Sequence, residues 1–464
     1  MNGPIRRADT AVRLVAERPA PGQPRPYRFP QVTRQSIRVE GGQGQVVAAH
    51  LPGQPLAVAT LLLGASASHE PAGREGLASV LARALEEGTQ ARDAAAFALA
   101  LERLGAELFT AVDWDSFRVS VEAPVERLSA AVELLAEAAR APRLDPADVI
   151  RVRDDEVTSL RMWWAEPGPR ADAALRADLF GATQRHGRPV HGDPVSVAAV
   201  AAEEVAAYHQ AWLTQPGTLL VAGDLDRLDL AALGVTAFAG SSARPAAPDP
   251  PVQPPAPQDR RILLVDRPGS VQSTLRLGHT APPRAHPDYV AMWLAGTVLG
   301  GAFTSRLNHL IREVRGYSYG VRADFANARR FGTFTVRGAV QTEVTAAALA
   351  DTVAEITRTH DGGVTEPELA VARSFRAGQL SVDMQTPGAI ARALATLVVH
   401  DLPDDYHATL RSQLLAATVE EVSTAAAAHL HPERLTLVVE GDAVAVREQL
   451  AATGLGDLAE VSPR

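Results

Sequence analysis

The chain has 464 residues, of which 46% are apolar and 21% charged, so it can fill a large core and is not a wholly disordered protein. Its net charge of −9 argues against a nucleic-acid binder, because neutralising phosphates requires clustered basic residues. The chain contains no Cys, which excludes disulfides, thiolate metal ligands and thiol nucleophiles.

Residues 1–33 are interpreted as an N-terminal arm that contains several Arg and Pro and no apolar core of signal-peptide length. The longest apolar stretch, residues 56–65, is shorter than the ~18 residues that cross a bilayer. We therefore expect a soluble, cytoplasmic protein without a membrane span.

The arm is followed by a strand, a mixed region of helices and antiparallel strands, and a closing strand. The opening strand VATLLLGAS covers residues 58–66, and the closing strand GTLLVAGDL covers residues 217–225. Between them, apolar residues recur at i, i+3, i+4 and i+7 over residues 125–141, which predicts an amphipathic helix.

Residues 241–258 are rich in Pro and Ala without a periodic apolar pattern, and they are interpreted as a linker between domains at 34–240 and 259–464. The second domain repeats the order of the first, with a strand, a helix and a closing strand at 272–280, 345–359 and 435–443. This repeat predicts a tandem duplication. The expected fold class is α+β, with two homologous α/β half-domains, each an antiparallel sheet flanked by helices.

Two segments contain motifs in a specific order. GASASHEPAGREGLASVLARALEEGTQAR covers residues 64–92, and LGGAFTSRLNHLIREVRGYSYG covers residues 299–320. They resemble the insulinase, pitrilysin and mitochondrial-processing-peptidase family, which consists of zinc peptidases with an inverted motif. The resemblance extends over roughly residues 35–445. It implies a clam-shell of two half-domains around a chamber that admits unfolded peptides and excludes folded proteins.

The active-site helix of that family carries His-x-x-Glu-His, in which two His one turn apart bind Zn²⁺ and the Glu activates water. Alignment on residues 76–78 puts Ser79, Ala82 and Arg83 at these three positions. A guanidinium keeps its proton in proteins, so Arg83 would place a fixed positive charge where relatives hold their cation. We expect no zinc on this chain and a solvated helix stripe formed by Ser79, Ala82, Arg83 and Glu86.

The family's third zinc ligand is a Glu on a helix that follows an Asp-Pro turn, here residues 145–146. The resemblance places this ligand at Ser159 and its supporting acid at Val152. A small error of register would bring Glu156 or Asp155 near, but a single carboxylate does not hold zinc.

Other candidate sites have a weaker pattern. His429-x-His431 is the only tight His pair, and it lacks a carboxylate at helical spacing, so both rings are interpreted as surface or capping side chains. Asp113-Trp114-Asp115 is interpreted as a solvated strand bend. The sequence has no nucleophile elbow, phosphate loop or dinucleotide-binding fingerprint.

One family motif is retained. Arg-Glu-x-Arg-Gly-x-x-Tyr appears at residues 312–319, so Arg312 and Tyr319 match the family's Arg and Tyr. The resemblance implies that this pair stabilises the oxyanion formed during peptide hydrolysis. Alternatively, Arg312 pairs with a local acid and Tyr319 packs in the core. Gly300 and Gly301, interpreted as a turn, are the candidates for substrate binding.

Loss of the metal ligands with retention of Arg312 and Tyr319 predicts a non-catalytic subunit that completes the site of a homologous, zinc-bearing partner. No cofactor is expected on this chain. Unfolded peptide would add as a strand to an exposed sheet edge, where the Asn of active first halves is replaced by Phe109. The alternatives are a homodimer that binds peptides without cutting them, a structural subunit like the core proteins of respiratory complexes, and an independent enzyme.

Overall fold

The protein is described by a computed structural model that covers residues 28–40, 42–242, 250–256 and 258–462. Most of the predicted arm, residues 1–27, lies outside the described residues, as do residues 243–249 and 257 of the predicted linker. The first strand begins at Val32, inside the segment assigned to the arm. No helix in these described ranges is long and apolar enough to cross a membrane.

The first half contains a six-stranded sheet with its α-helices. The strands are β1 (Val32–Val39), β2 (Gly42–His50), β3 (Leu56–Leu63), β4 (Glu107–Val112), β5 (Phe117–Pro124) and β6 (Thr218–Gly223). The helices are α1 (Leu77–Ala84), α2 (Ala94–Leu104), α3 (Leu128–Arg140), α4 (Pro146–Ala165), α5 (Pro169–Phe180), α6 (Pro194–Ala198), α7 (Ala202–Trp212) and α8 (Leu230–Phe238).

The second half also contains a six-stranded sheet. The strands are β7 (Arg261–Asp266), β8 (Gln272–Ala281), β9 (Val321–Asn327), β10 (Gly332–Gln341), β11 (Thr436–Gly441) and β12 (Asp457–Glu460). The α-helices are α9 (Tyr289–Gly296), α10 (Thr345–Gly362), α11 (Glu366–Asp383), α12 (Pro387–Val399), α13 (Tyr406–Ala416), α14 (Val419–His429) and α15 (Ala443–Ala451). Two π-helical segments, π1 (Thr297–Gly301) and π2 (Asn308–Val314), lie between α9 and β9.

The two sheets share one topology, which confirms the predicted duplication and the class of two α/β half-domains. Both sheets are mixed and not purely antiparallel as expected, because β2 is parallel to β6 and β7 is parallel to β11. Their strand orders are β1-β2-β6-β3-β5-β4 and β12-β7-β11-β8-β10-β9. The one difference of direction among equivalent neighbours is at the first edge, where β1 is antiparallel to β2 and β12 is parallel to β7. In the first sheet this edge strand is β1, at the start of the first half, and in the second sheet it is β12, at the end of the second half.

Each half sends one helix across to the other half's sheet. Helix α12 packs on β2, β3 and β6, where Ile390 and Leu394 join a buried cluster with Val47 and Val58. Helix α5 packs in the same way on β7, β8 and β11, where Leu175 lies in a buried cluster of the second sheet. The two halves are therefore joined by reciprocal apolar contacts as well as by the chain between them.

Ion pairs reinforce the contact of α5 with the second sheet. Arg276 on β8 donates to Asp172 at 2.7 Å, and Arg261 on β7 pairs with Asp178 at 2.6 Å. The backbone N–H of Gly168, just before α5, donates to the buried carboxylate of Glu440 at 2.9 Å. These contacts fix the junction of the halves, on which the candidate site lies.

Candidate functional site

A buried carboxylate fixes the first turn of α1. Glu70 accepts hydrogen bonds from the backbone N–H groups of Gly76 and Ala78 at 3.0 and 2.8 Å, and Arg185 pairs with it at 2.6 Å. Gly76 has a φ of 97°, and a Cβ there would lie 2.6 Å from the carbonyl oxygen of His191. Only glycine fits this position, and α1 is held against the loop that carries Arg185 and His191.

The altered positions of α1 are less exposed than the sequence pattern indicates. Ser79 and Ala82 are buried, whereas Arg83 and Glu86 are exposed as expected. Ser79 is covered because its Oγ lies 3.0 Å from Nδ1 of His191. The expectation of a solvated stripe is therefore wrong for Ser79 and Ala82.

Arg83 forms an ion pair with Glu156 of α4. The Glu156 side chain is only 14% exposed, and it follows the buried Val152 and precedes the buried Leu160 by one turn each. Ser159, which the sequence places at the third-ligand position, is exposed, and its hydroxyl donates within its own helix. The carboxylate that faces α1 is therefore Glu156, three residues before the position expected from the resemblance.

A cavity of about 400 Å³ adjoins this ion pair. Leu160 and Trp163 form part of its wall, together with Glu156, Ser159 and His191. Partial burial lowers the pKa of His191, although the nearby Glu156 carboxylate acts in the opposite direction. Near pH 7 the first half thus presents a neutral imidazole and an already paired carboxylate.

In the second half, Gly300 and Gly301 lie in a π-helical segment and not in the turn predicted from the sequence. Gly300 is buried, and a Cβ there would lie 2.5 Å from the backbone nitrogen of Ala323 on β9. A Cβ at Gly301 would lie 2.8 Å from the guanidinium of Arg376. Gly300 therefore permits close packing of π1 on the sheet, and Gly301 is the more accessible of the pair.

Arg312 lies on π2, and its guanidinium carbon is 4.1 Å from the ring centroid of Phe303. No carboxylate pairs with Arg312 within the described part of the chain. Tyr319 is 98% exposed. The alternatives, that Arg312 pairs with a local acid and that Tyr319 packs in the core, are therefore wrong. Arg312 lies on a short π-helical segment, and such segments are frequent at functional sites.

The four residues singled out in the second half lie around one cavity of about 730 Å³. Other residues of its lining include Pro167 of the first half, the aromatic rings of Phe303 and Phe375, and the cations Arg322 and Arg337, together with Gly300, Gly301, Arg312 and Tyr319. The cavity lies at the junction of the two halves and combines aromatic walls with guanidinium groups. Guanidinium groups can donate hydrogen bonds to polar backbone atoms of a ligand, and aromatic walls can contact its apolar side chains.

Sequence reasoning missed the residue that fixes π2. Asn308 is buried, accepts a hydrogen bond from the backbone N–H of Val321 at 3.0 Å and donates to the carbonyl oxygen of Ala302 at 3.1 Å. These bonds join π2 to π1 and β9 and so position Arg312. A buried Asn inside an apolar helical pattern was the signal that could have revealed it.

Two known sequence families match this chain. Residues 45–191 match the family described as "Insulinase (Peptidase family M16)", and residues 199–375 match the one described as "Peptidase M16 inactive domain". The chain belongs to the insulinase family. The resemblance of its motifs to this family is thereby confirmed.

Relatives in the insulinase family include proteins named "uncharacterized zinc protease". Those of Mycobacterium bovis and Mycobacterium tuberculosis are 28% identical over 403 residues, which cover 86% of this chain and 91% of theirs. A Helicobacter pylori protein named "Non-peptidase homolog YmxG" is 22% identical over 371 residues, or 78% of this chain and 84% of its own.

Solved structures share the fold. A crystal structure of a peptidase M16 inactive domain from Pseudomonas fluorescens has a TM-score of 0.81 and 25% identity, with 89% of this chain and 98% of that chain covered. A protease from Helicobacter pylori has a TM-score of 0.80 and 17% identity, with 89% of this chain and all of that chain covered.

The α1 residues of this insulinase homologue do not fit a zinc ion. At the three motif positions Ser79 offers a hydroxyl, Ala82 a methyl group and Arg83 a guanidinium. The facing carboxylate of Glu156 is already paired with Arg83. The described residues contain two groups of three side chains close enough to share a metal ion, and neither group includes a residue of α1 or α4. The donor set is therefore unsuited to a catalytic zinc at α1.

Both sheets of this family member end in an accessible edge. Among the residues that the structure describes, β4 pairs only with β5 and β9 pairs only with β10. Phe109 lies on β4 and is 49% exposed. The predicted sheet edge is present, and its residue at the expected Asn position is an aromatic ring.

The Asp113-Trp114-Asp115 bend is half-buried, not solvated as expected. Trp114 stacks with Arg185, whose guanidinium carbon is 4.8 Å from its ring centroid, and Asp115 accepts from the backbone N–H of Arg329 at 2.8 Å. Burial raises the pKa of Asp115. The bend therefore belongs to the contact between the halves.

Proposed function

We propose that this chain is the subunit without a catalytic zinc in a two-subunit endopeptidase and supplies Arg312 and Tyr319 to a homologous partner that carries the catalytic zinc. The observation that carries the proposal is the contrast between the two halves. In the first half Arg83 is paired with Glu156. In the second half Arg312 and the exposed Tyr319 line the 730 Å³ cavity.

Arg312 and Tyr319 can both donate hydrogen bonds to the negatively charged oxygen that forms during peptide hydrolysis. Attack of water on a peptide carbonyl gives a tetrahedral oxyanion, which a guanidinium and a phenol O–H stabilise by donating hydrogen bonds. Loss of one such donor costs ~2.7–4 kcal/mol in the barrier. Because α1 carries Arg83, the attacking water has to be activated on the partner.

The surroundings of the pair suit an extended peptide. Within the described ranges, β9 is the last strand of its sheet, and its residues Val321 and Arg322 line the cavity next to Tyr319. An unpaired strand edge offers backbone donors and acceptors to an added strand with little demand on its sequence. The exposed rings of Phe303 and Phe375 would contact the peptide side chains.

The proposal is tested by mixing the purified chain with a family member that has an intact His-x-x-Glu-His motif and measuring cleavage of an unfolded peptide. We expect activity that neither protein has alone. Arg312→Ala should lower kcat about 10²-fold or more without preventing assembly, since it removes one oxyanion donor. Tyr319→Phe should act in the same direction.

The matched control is Arg315→Ala, because Arg315 lies just after π2 and is already paired with Asp351 at 2.8 Å. Its loss should leave cleavage unchanged. If Arg312→Ala and Arg315→Ala mixtures are equally active, Arg312 does not act in trans.

A second candidate function is peptide binding without cleavage by a dimer of this chain. It is favoured by the exposed aromatic rings Phe303 and Phe375 around the cavity, since these can hold a peptide without any catalytic group. Size-exclusion chromatography with light scattering and a fluorescent unfolded peptide distinguish the two. A stable homodimer that binds peptide with no partner and gains no activity from one would favour this candidate.

A further inference from the structure

Three side chains of the second half meet outside the cavity of Arg312 and Tyr319. His286 and Asp288 immediately precede α9, and His429 is the last residue of α14. Nε2 of His429 is 2.7 Å from Oδ2 of Asp288, and Nδ1 of His286 is 3.9 Å from the same oxygen. The two imidazole rings have centroids 5.0 Å apart and planes at 82°.

We propose that His286, Asp288 and His429 bind one divalent transition-metal ion, of which Zn²⁺ is the best match. Two imidazoles and one carboxylate, with water in the fourth position, are a common ligand set for this ion. No carboxylate lies one turn away from His429 within α14. Asp288 supplies it from a position 141 residues earlier in the chain.

The distances between the ligand atoms suit such an ion. All three atoms lie within 4.8 Å of one another. In a tetrahedron with bonds of ~2.0–2.2 Å, ligand atoms are roughly 3.4 Å apart, so the observed separation of 2.7 Å is about 0.7 Å too short and that of 3.9 Å about 0.5 Å too long. Small side-chain rotations are enough to close the site.

Asp288 is oriented toward His429 and not toward its own helix. An Asp at a helix start usually accepts a hydrogen bond from an N–H of the first turn, and Asp288 accepts none there. All three side chains are half-buried, which excludes part of the competing water. Nδ1 of His286 accepts from the Asp288 N–H at 3.2 Å, a long contact that an ion at this nitrogen would replace.

The other close group, His50, Asp224 and Asp226, is the weaker candidate. It contains a single imidazole, and the Nδ1 of this ring accepts a hydrogen bond from the Leu225 N–H at 3.0 Å. Oδ2 of Asp224 likewise accepts from the Gly53 N–H at 3.1 Å. These donors already stabilise a turn, so this group provides an internal comparison.

An ion at His286, Asp288 and His429 would link the start of α9 to the end of α14. These two helices pack against each other, and α9 continues into π1 with Gly300 and Gly301. Asp288 also lines a cavity of about 600 Å³ between α9, α13 and α14, which leaves room for a bound water. The ion would therefore stabilise the framework behind the candidate peptide cavity without taking part in it.

The test uses the full-length chain, freed of any polyhistidine tag and stripped of metal with a chelator. Titration with ZnCl₂ in a calorimeter should show one ion per chain. His429→Ala, His286→Ala and Asp288→Asn should each weaken binding at least about tenfold. Zn²⁺ should raise the unfolding temperature of the wild type, because only the folded state presents the three ligands together.

His431→Ala is the matched control, since His431 lies two residues from His429 and its backbone N–H contacts His279. His50→Ala tests the other group. Both should bind Zn²⁺ like the wild type. The proposal is overturned if the wild type binds no Zn²⁺, or if circular dichroism shows the three ligand variants folded and titration shows them binding as the controls do.

Discussion

The guanidinium of Arg83 and the carboxylate of Glu156 contact each other across α1 and α4. Glu156 is mostly buried, and a buried carboxylate is costly unless it has a cationic partner. The family resemblance implies that Zn²⁺ supplies the positive charge at this place in metal-bearing relatives. Here the positive charge is covalently part of the chain, so the first half is stabilised without an ion.

A double-mutant cycle should detect this pair. Arg83→Ala leaves the Glu156 carboxylate without its partner and should lower the free energy of unfolding by about 1–2 kcal/mol. Glu156→Gln should cost less, and the coupling in the double variant should be about 1 kcal/mol. Urea unfolding measures all four proteins. Additive effects of the two changes would contradict the pairing.

The His-x-x-Glu-His motif can be rebuilt on α1 to test whether Glu156 or Ser159 of α4 acts as its third zinc ligand. Ser79→His, Ala82→Glu and Arg83→His together restore the two imidazoles and the acid of the family motif. With Glu156 as the third ligand, this variant should bind one additional Zn²⁺ per chain in equilibrium dialysis. Adding Glu156→Ala should abolish that site, whereas adding Ser159→Ala should not. The opposite result would place Ser159 at the ligand position.

Gly300→Ala should be strongly destabilising. The new Cβ would lie 2.5 Å from the backbone nitrogen of Ala323, and a backbone atom cannot move aside as a flexible side chain can. We expect a loss of about 2–3 kcal/mol in the free energy of unfolding, which thermal and urea unfolding would measure. Gly378→Ala is the control, because a Cβ in this part of α11 meets no atom within 4 Å. It should stabilise by about 0.5–1 kcal/mol.

Stability should fall as the pH is lowered below 6.5. Burial lowers the pKa of His186 and His407 from 6.5 to about 4 and that of His279 to about 3. Between these values and 6.5 the unfolded chain binds protons that the folded chain does not, so acid favours unfolding.

His407→Gln isolates one of these contributions. It should remove about 2 kcal/mol of the stability difference between pH 6.5 and pH 5, measured by urea unfolding at each pH. The control is His309→Gln, since His309 is exposed. Equal pH dependence in the two variants would show that His407 titrates normally in the folded protein.

The sequence predicted the duplication and the α+β class, and its resemblance to the family singled out Gly300, Gly301, Arg312 and Tyr319, because each depends on local pattern or on an ungapped motif. The register of α4 was not predictable in the same way. The number of residues between α1 and α4 depends on loops of variable length, so alignment pointed to Ser159 and not to Glu156, the residue that pairs with Arg83. The burial of Ser79 depends on His191, which lies more than 100 residues away in the chain.

The approach of Asp288 to His429 was equally invisible, since it results from packing of α9 on α14. Helical spacing reveals ligands that share one helix. It says nothing about ligands brought together by tertiary contacts. The same limit applies to Asn308, whose role is evident only once β9 lies beside π2.

The crossing of α5 and α12 makes each half dependent on the other's presence. A fragment separated at the linker would expose Val47 and Val58 in one piece and Val265 in the other. Two such pieces made in the same cell would recombine only by collision, at a rate that depends on their concentration. Tethering them in one polypeptide replaces that encounter with an intramolecular step and fixes their ratio at one to one.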